Sequence, residues 1–183
     1  MATNFPTSLD TFVNPTSSSA MNSPSHAGQH TDINDAVEAI QTKLGTGDHT
    51  VGVWQDFTPT FTNITVGNGT LNARYCQINK FVAWTIELVF GSTTSVDGSG
   101  VTVTYPVTAS NAYQAGNGGQ VTCEDASSTD YWGTLFRNST TRVGVYVGNA
   151  SSTYLTFTSL AGSVPFLWAT GDRLVIQDFY EAA

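Results

Sequence analysis

From Trp54 onward, apolar and polar residues alternate with period two. "FVAWTIELVF" (81–90) places Val82, Trp84, Ile86, Leu88 and Phe90 on one face, and "VTVTYPV" (101–107) does the same with Val101, Val103, Tyr105 and Val107. "RVGVYVG" sets Val143, Val145 and Val147 against small or polar neighbours, and "YLTFTSL" and "DRLVIQDFY" continue the theme. Alternation of this kind is the signature of half-buried strands. Turn signals separate the runs: "VGNGT", "VDGSG", "GNGG", "RNSTT", "GNASS" and "ATGD". Roughly eight strands with short turns predict an antiparallel β-sandwich, jelly-roll-like, over residues 46–183.

One stretch has helical spacing instead, within "SPSHAGQHTDINDAVEAIQTKLG" (23–45). A short helix is predicted over 30–45, with Thr31 or Asp32 as N-cap and Asp35 near the positive end of the dipole. Gly45 supplies the stop, after Lys43 in the last turn. Ile33, Val37, Ile40 and Leu44 are spaced four, three and four. That is a heptad seam with Ile33 and Ile40 at d, Val37 and Leu44 at a. Ala36 and Ala39 flank it and permit close approach. A helix of this length is marginal alone in water, so its stripe needs a cover. Two covers are open: the chain's own β-domain, or further copies of the chain. In the second case Ile at d with Leu at a leans toward three strands or more.

Residues 1–29 show neither period. Pro6, Pro15 and Pro24 lie among Ser, Thr and Asn, which favours extended backbone. Phe5, Leu9, Phe12 and Val13 are too sparse for a core, yet frequent enough to anchor an extended arm on another surface. A disordered tail is the alternative.

Charge narrows the function classes. The chain of 183 residues carries 6 basic and 14 acidic side chains, a formal net charge of -8. Lys43, Lys80, Arg74, Arg137, Arg142 and Arg173 are scattered singly, so no basic patch exists to neutralise phosphates. Nucleic acid and anionic membrane surfaces are disfavoured as partners. No apolar run is long enough to span a bilayer. The N-terminus lacks the basic and apolar regions of a secretory signal. Cys76 and Cys123 lie in strand-like runs, and reduced thiols suit synthesis in a cytoplasm.

The residues assemble no catalytic constellation, so an enzyme is not expected, nor a cofactor. His26 and His30 have the i, i+4 spacing of a metal pair, but no acidic or Cys partner completes a site. In a trimer a ring of such histidines could bind an ion on the axis, and capping and local turn bonding are the preferred roles. "EDASSTD" gathers Glu124, Asp125 and Asp130 without the spacing of a calcium loop, and reads as a solvated turn. Glu87 and Asp178 are the few carboxylates on predicted strands. Trp84 belongs to the core face. Tyr113, Tyr131 and Trp132 fall in or near loops beside Asn, Asp and Ser. These are candidate glycan contacts, because aromatic rings stack on sugar C–H faces while amides and carboxylates bond hydroxyls. Burial under loops is the competing reading.

Taken together, "NFPTSLDTFVNPTSSSAMNSPSHAGQHTDINDAVEAIQTKLG" resembles the N-terminal segment of tailed-bacteriophage virion appendage proteins: minor tail proteins, tail fibres and head fibres. The end, "PFLWATGDRLVIQDFYEA", is similar to that of many phage fibre β-domains, and "FTPTFTNITVGNGTLNARYCQINKFVAW" resembles their first hairpins. Two departures stand out: Gln41 occupies a commonly acidic position, and the β-domain is single, which suits a compact knob over a long fibre. The resemblance implies a virion protein made in the bacterial cytoplasm, whose arm (1–29) docks on tail or capsid proteins. The helix would gather copies as a homotrimer, and the β-domain would face outward toward host-surface carbohydrate. A capsid head fibre or decoration protein, or a free carbohydrate-binding module, is the alternative.

Overall fold

The computed structural model describes residue 20 and residues 26–44, 52–111, 117–151 and 153–183. Two compact units result, one ending at Val53 and the other spanning Trp54–Ala183. The docking-arm residues Phe5, Leu9, Phe12 and Val13 lie outside the described residues, as does Tyr113.

In the first unit the helix, α1, runs His26–Leu44. It begins four residues before the expected boundary, which corrects the N-cap assignment. Thr31 lies inside the helix, its hydroxyl donating to the Ala27 carbonyl one turn back at 3.0 Å. Asp35 is therefore two turns in, beyond the reach of the dipole's positive end. Nothing in the "SHAGQ" words forbids helix, and Gly28 is tolerated because the flanking residues continue the turn.

The second unit is mainly β and antiparallel. Its strands are β1 (Gln55–Asp56), β2 (Phe61–Thr62), β3 (Ile64–Thr65), β4 (Thr70–Ile78), β5 (Phe81–Val89) and β6 (Ser95–Val96). They continue as β7 (Thr102–Thr104), β8 (Asn117–Glu124), β9 (Asp130–Arg137), β10 (Arg142–Asn149), β11 (Thr156–Ser159) and β12 (Arg173–Glu181). Ten form one sheet in the order β1-β4-β5-β12-β8-β9-β10-β7-β2, with β11 on β10, and β3 pairs β6 separately. The count exceeds the expected eight because four of the strands are two-residue pairings too short to show a period.

The sheet curls into a sandwich-like shell. β5 and β7 are five strands apart, which would be about 24 Å in a flat sheet. Yet the rings of Trp84 on β5 and Tyr105 just beyond β7 stand 5.8 Å apart. Curling brings the inner faces together in a single core. Trp84, Ile86, Leu88, Val101, Val103, Val121, Leu135, Val143, Val145, Leu174 and Ile176 are all buried there. Full burial of each such side chain contributes about 1.5–3 kcal/mol. The alternation in β5 is as expected from the sequence: Val82, Trp84, Ile86 and Leu88 are buried and their neighbours are not.

One turn signal misleads. "GNGG" reads as a hairpin turn, but β8 begins at Asn117, so Gly118 and Gly119 belong to the strand. The register with β9 shifts between Gly118 and Gln120, a bulge at which Gly119 takes φ +84°.

The "WATGD" segment positions β12. Gly171 turns the chain with φ +95°, and the buried Asp172 carboxylate accepts from the amides of Ala169 (2.6 Å) and Ala126 (3.0 Å). The Trp168 ring stacks on Phe90 at 4.5 Å. Replacing Asp172 with Ala should lower stability by about 2 kcal/mol or more, because two amides lose their acceptor. Asp172→Asn, which keeps one oxygen acceptor, should lose less. Urea unfolding at pH 7 measures both, and equal stabilities for the wild type and Asp172→Ala would refute the role.

Candidate functional site

Two regions of the β-unit combine aromatic rings with accessible polar groups. The first is the outer face of β9, β10 and β11. Residues i and i+1 of a strand point to opposite faces, so Tyr131 and Trp132, expected together, are separated. Tyr131 turns inward, half-buried against the core with its ring 5.5 Å from Phe166. Of the two readings open for Tyr131, this placement is the one of partial burial. Trp132 turns outward and is 63% exposed.

Beside Trp132 the floor of this face is glycine. Gly148 pairs with Phe157 of β11, and a Cβ on Gly148 would stand 3.2 Å from the Trp132 carbonyl oxygen and 3.4 Å from Leu155 Cδ1. Phe136 meets Tyr146 at 4.7 Å and Phe157 at 5.8 Å, both edge-on. Leu155 and Phe157 are also exposed. The result is a shallow platform of rings over a low floor, with Thr122 opposite Trp132 on β8. Such a surface can stack on the apolar face of a flat ligand.

The second region is a cleft of about 680 Å³ lined by Lys80, Phe81, Tyr105, Arg137, Asp178 and Phe179, among others. Its size falls within the usual range for ligand sites. Asp178 enters it because β12 alternates Leu174, Ile176, Asp178 and Tyr180 inward. Gly119 makes the room: a Cβ there would lie 2.9 Å from Asp178 Cβ and Cγ. Burial pushes the Asp178 carboxyl up from the ordinary 3.8 to about 6. The Phe179 amide and the Trp84 indole N–H pull the other way. The indole falls short of hydrogen-bond geometry, and its Nε1 has no partner among the described residues, so its influence is the weaker, through-space kind.

The tyrosines around this carboxyl are perturbed too. Burial, with the Asp178 charge second, pushes the Tyr105 phenol up to about 12 against the pull of Arg137. Tyr180, whose ring lies 4.5 Å from Tyr105, is raised by burial as well. Its hydroxyl donates to the Val107 carbonyl at 2.6 Å and accepts from the Val107 amide at 3.1 Å. The cleft thus offers a carboxyl, a guanidinium and aromatic walls, groups that hold a polar ligand in place.

Other expected features resolve simply. Glu87 faces outward, 3.8 Å from Arg173 and bonded to Asn72. Asp125 closes the β8–β9 turn by accepting from the Ser127 amide and hydroxyl, at 2.9 and 2.7 Å. Cys76 and Cys123 are not joined by a disulfide, and burial pushes the Cys123 thiol up to about 12. In α1, Ile33, Val37 and Ile40 are exposed at 53%, 46% and 44%. The side chain of Leu44 lies outside the described part. No group of three or more His, Cys, Asp or Glu able to hold a metal occurs among the described residues.

The sign of the Asp178 effect on stability is fixed by its direction. The unfolded chain loses this proton near pH 3.8 and the folded chain only near pH 6. Between those values the folded state binds more protons, so stability falls as pH rises from about 4 to about 6. Asp178→Asn should flatten this fall, read as urea midpoints at pH 4 and pH 7. An unchanged pH slope in the variant would assign the effect to another group. Comparison with protein-family models, curated proteins and solved structures finds no match to the chain.

Proposed function

We propose that this protein is a non-enzymatic structural component of a bacteriophage virion, a short trimeric fibre or knob. The arm docks on tail or capsid proteins, α1 gathers three copies, and the β-unit is displayed toward host-surface glycan. The observation that carries the reading is the exposed heptad seam of Ile33, Val37 and Ile40, an apolar stripe on α1 that suits burial against further copies of the chain. The sequence resemblance over residues 4–45 supports the virion setting, and the acidic, patch-free charge distribution fits a protein partner better than nucleic acid.

The Trp132 platform supports the glycan contact. Exposed rings beside Thr and Asn side chains suit weak stacking and hydroxyl bonding, and several copies per particle convert weak single-site binding into avidity. Self-association is tested by light scattering on the full chain. A trimer mass is expected, and Val37→Asp with Ile40→Asp should reduce it to a monomer while the β-unit stays folded. A monomer for the wild type at micromolar concentration would overturn the trimer.

Trp132→Ala separates attachment from particle coverage. Because Trp132 is exposed, unfolding should shift only within about 0.5 kcal/mol, while attachment of particles to host cells should fall. A loss of about 3–5 kcal/mol, the cost of deleting a buried aromatic, with attachment following stability, would instead favour the decoration reading.

A further inference from the structure

The seam of α1 extends beyond its apolar part. Counting back from Ile33 and Val37 by one heptad gives His26 at d and His30 at a, so the spacing 26, 30, 33, 37, 40 holds one continuous stripe. Both histidines are exposed, with ring centroids 4.5 Å apart and planes crossing at 84°. Their Nε2 atoms converge to 3.2 Å. Two imidazole nitrogens at this separation have the bite of a chelate. With metal–nitrogen bonds of about 2.0–2.1 Å they would subtend roughly 100–105° at the ion, close to tetrahedral.

We infer that His26 and His30 form a bidentate site for a divalent transition-metal ion, at the N-terminal end of the seam. Imidazole donors select Zn²⁺, Ni²⁺, Cu²⁺ or Co²⁺ over Ca²⁺ and Mg²⁺, which require oxygen ligands. In the neutral pair one Nε2–H donates to the other nitrogen. On binding, each Nε2 gives its lone pair to the ion, and the ring proton resides on Nδ1. Water completes the coordination in a single chain. The pair lies on the stripe that we propose copies share, so assembly would bring several pairs to one end and let them replace that water. This last step rests on the trimer reading; the chelate itself does not.

Calorimetric titration of the full-length protein with Ni²⁺ and Zn²⁺, paired with light scattering, tests the inference. Saturable binding is expected, at one ion per chain or one per three chains. His26→Gln and His30→Gln should each weaken it by at least about tenfold, since even an outer-shell partner is worth roughly 10–100-fold. His49→Gln should leave it unchanged, and Ca²⁺ should give no heat at this pair. Far-UV circular dichroism of the variants controls for helix loss. Absent binding at millimolar metal, or binding indifferent to both substitutions, would overturn the site. Binding by a monomer would keep the chelate and defeat the trimer reading; a trimer that binds no metal would do the reverse.

Discussion

The β-unit depends on the insertion of its last strand. β12 pairs with β5 over nine residues, Arg173–Glu181 against Val89–Phe81, and with β8 over Arg173–Gln177. Among the described residues it is the strand that links β1-β4-β5 to β8-β9-β10-β7-β2 in the sheet order. Its entry is fastened by the Asp172 carboxylate. Its exit is fastened where Ala182 donates to the Lys80 carbonyl (2.7 Å) and Ala183 to that of Thr108 (2.9 Å). These partners are distant in sequence, so inserting the strand carries a large loop-closure cost that its pairing on both sides must offset. The buried leucine and isoleucine of β12 then complete the core of both halves at once.

That same strand places two of the perturbed side chains, Asp178 and Tyr180. Period-two alternation that buries Leu174 and Ile176 also carries Asp178 and Tyr180 inward and leaves Phe179 outward, 69% exposed and stacked near Phe81 at 6.0 Å. A carboxyl on the inner face is costly unless it finds room and donors. The bulge at Gly119 supplies the room, and the Phe179 amide supplies a donor. The cost that remains is visible as the upward shift of Asp178, so the cleft and the central strand are two consequences of one register.

The outer surfaces divide differently. The Trp132 platform exists because β9, β10 and β11 pair with glycines at Gly148 and Gly144, which lower the floor between rings. The seam of α1 exists because a helix turns 3.6 residues per revolution and gathers residues three and four apart. Under the proposed function the two surfaces are distinct in role, one gathering copies and the other meeting ligand, and neither requires a reaction.

Much of this was legible in the chain. Alternation in "FVAWTIELVF" marked the buried face of β5 residue by residue, and the heptad marked the stripe of α1, because local period depends only on backbone geometry. The parity of "RLVIQDFY" also carries the inward position of Asp178, two residues after the buried Ile176. Adjacent Tyr131 and Trp132 could have been split by the same parity, had the strand start at Asp130 been known. Other features depend on residues far apart. The bulge that turns "GNGG" from a hairpin into strand answers to Asp178 and Leu135, and the curl that sets Trp84 against Tyr105 is the sum of ten strands' twist. The sequence by itself determined which residues seek burial and with what period. Only the tertiary structure decided which strands became neighbours and how warm a reception a buried carboxyl met, because those terms depend on distances that close when the chain folds.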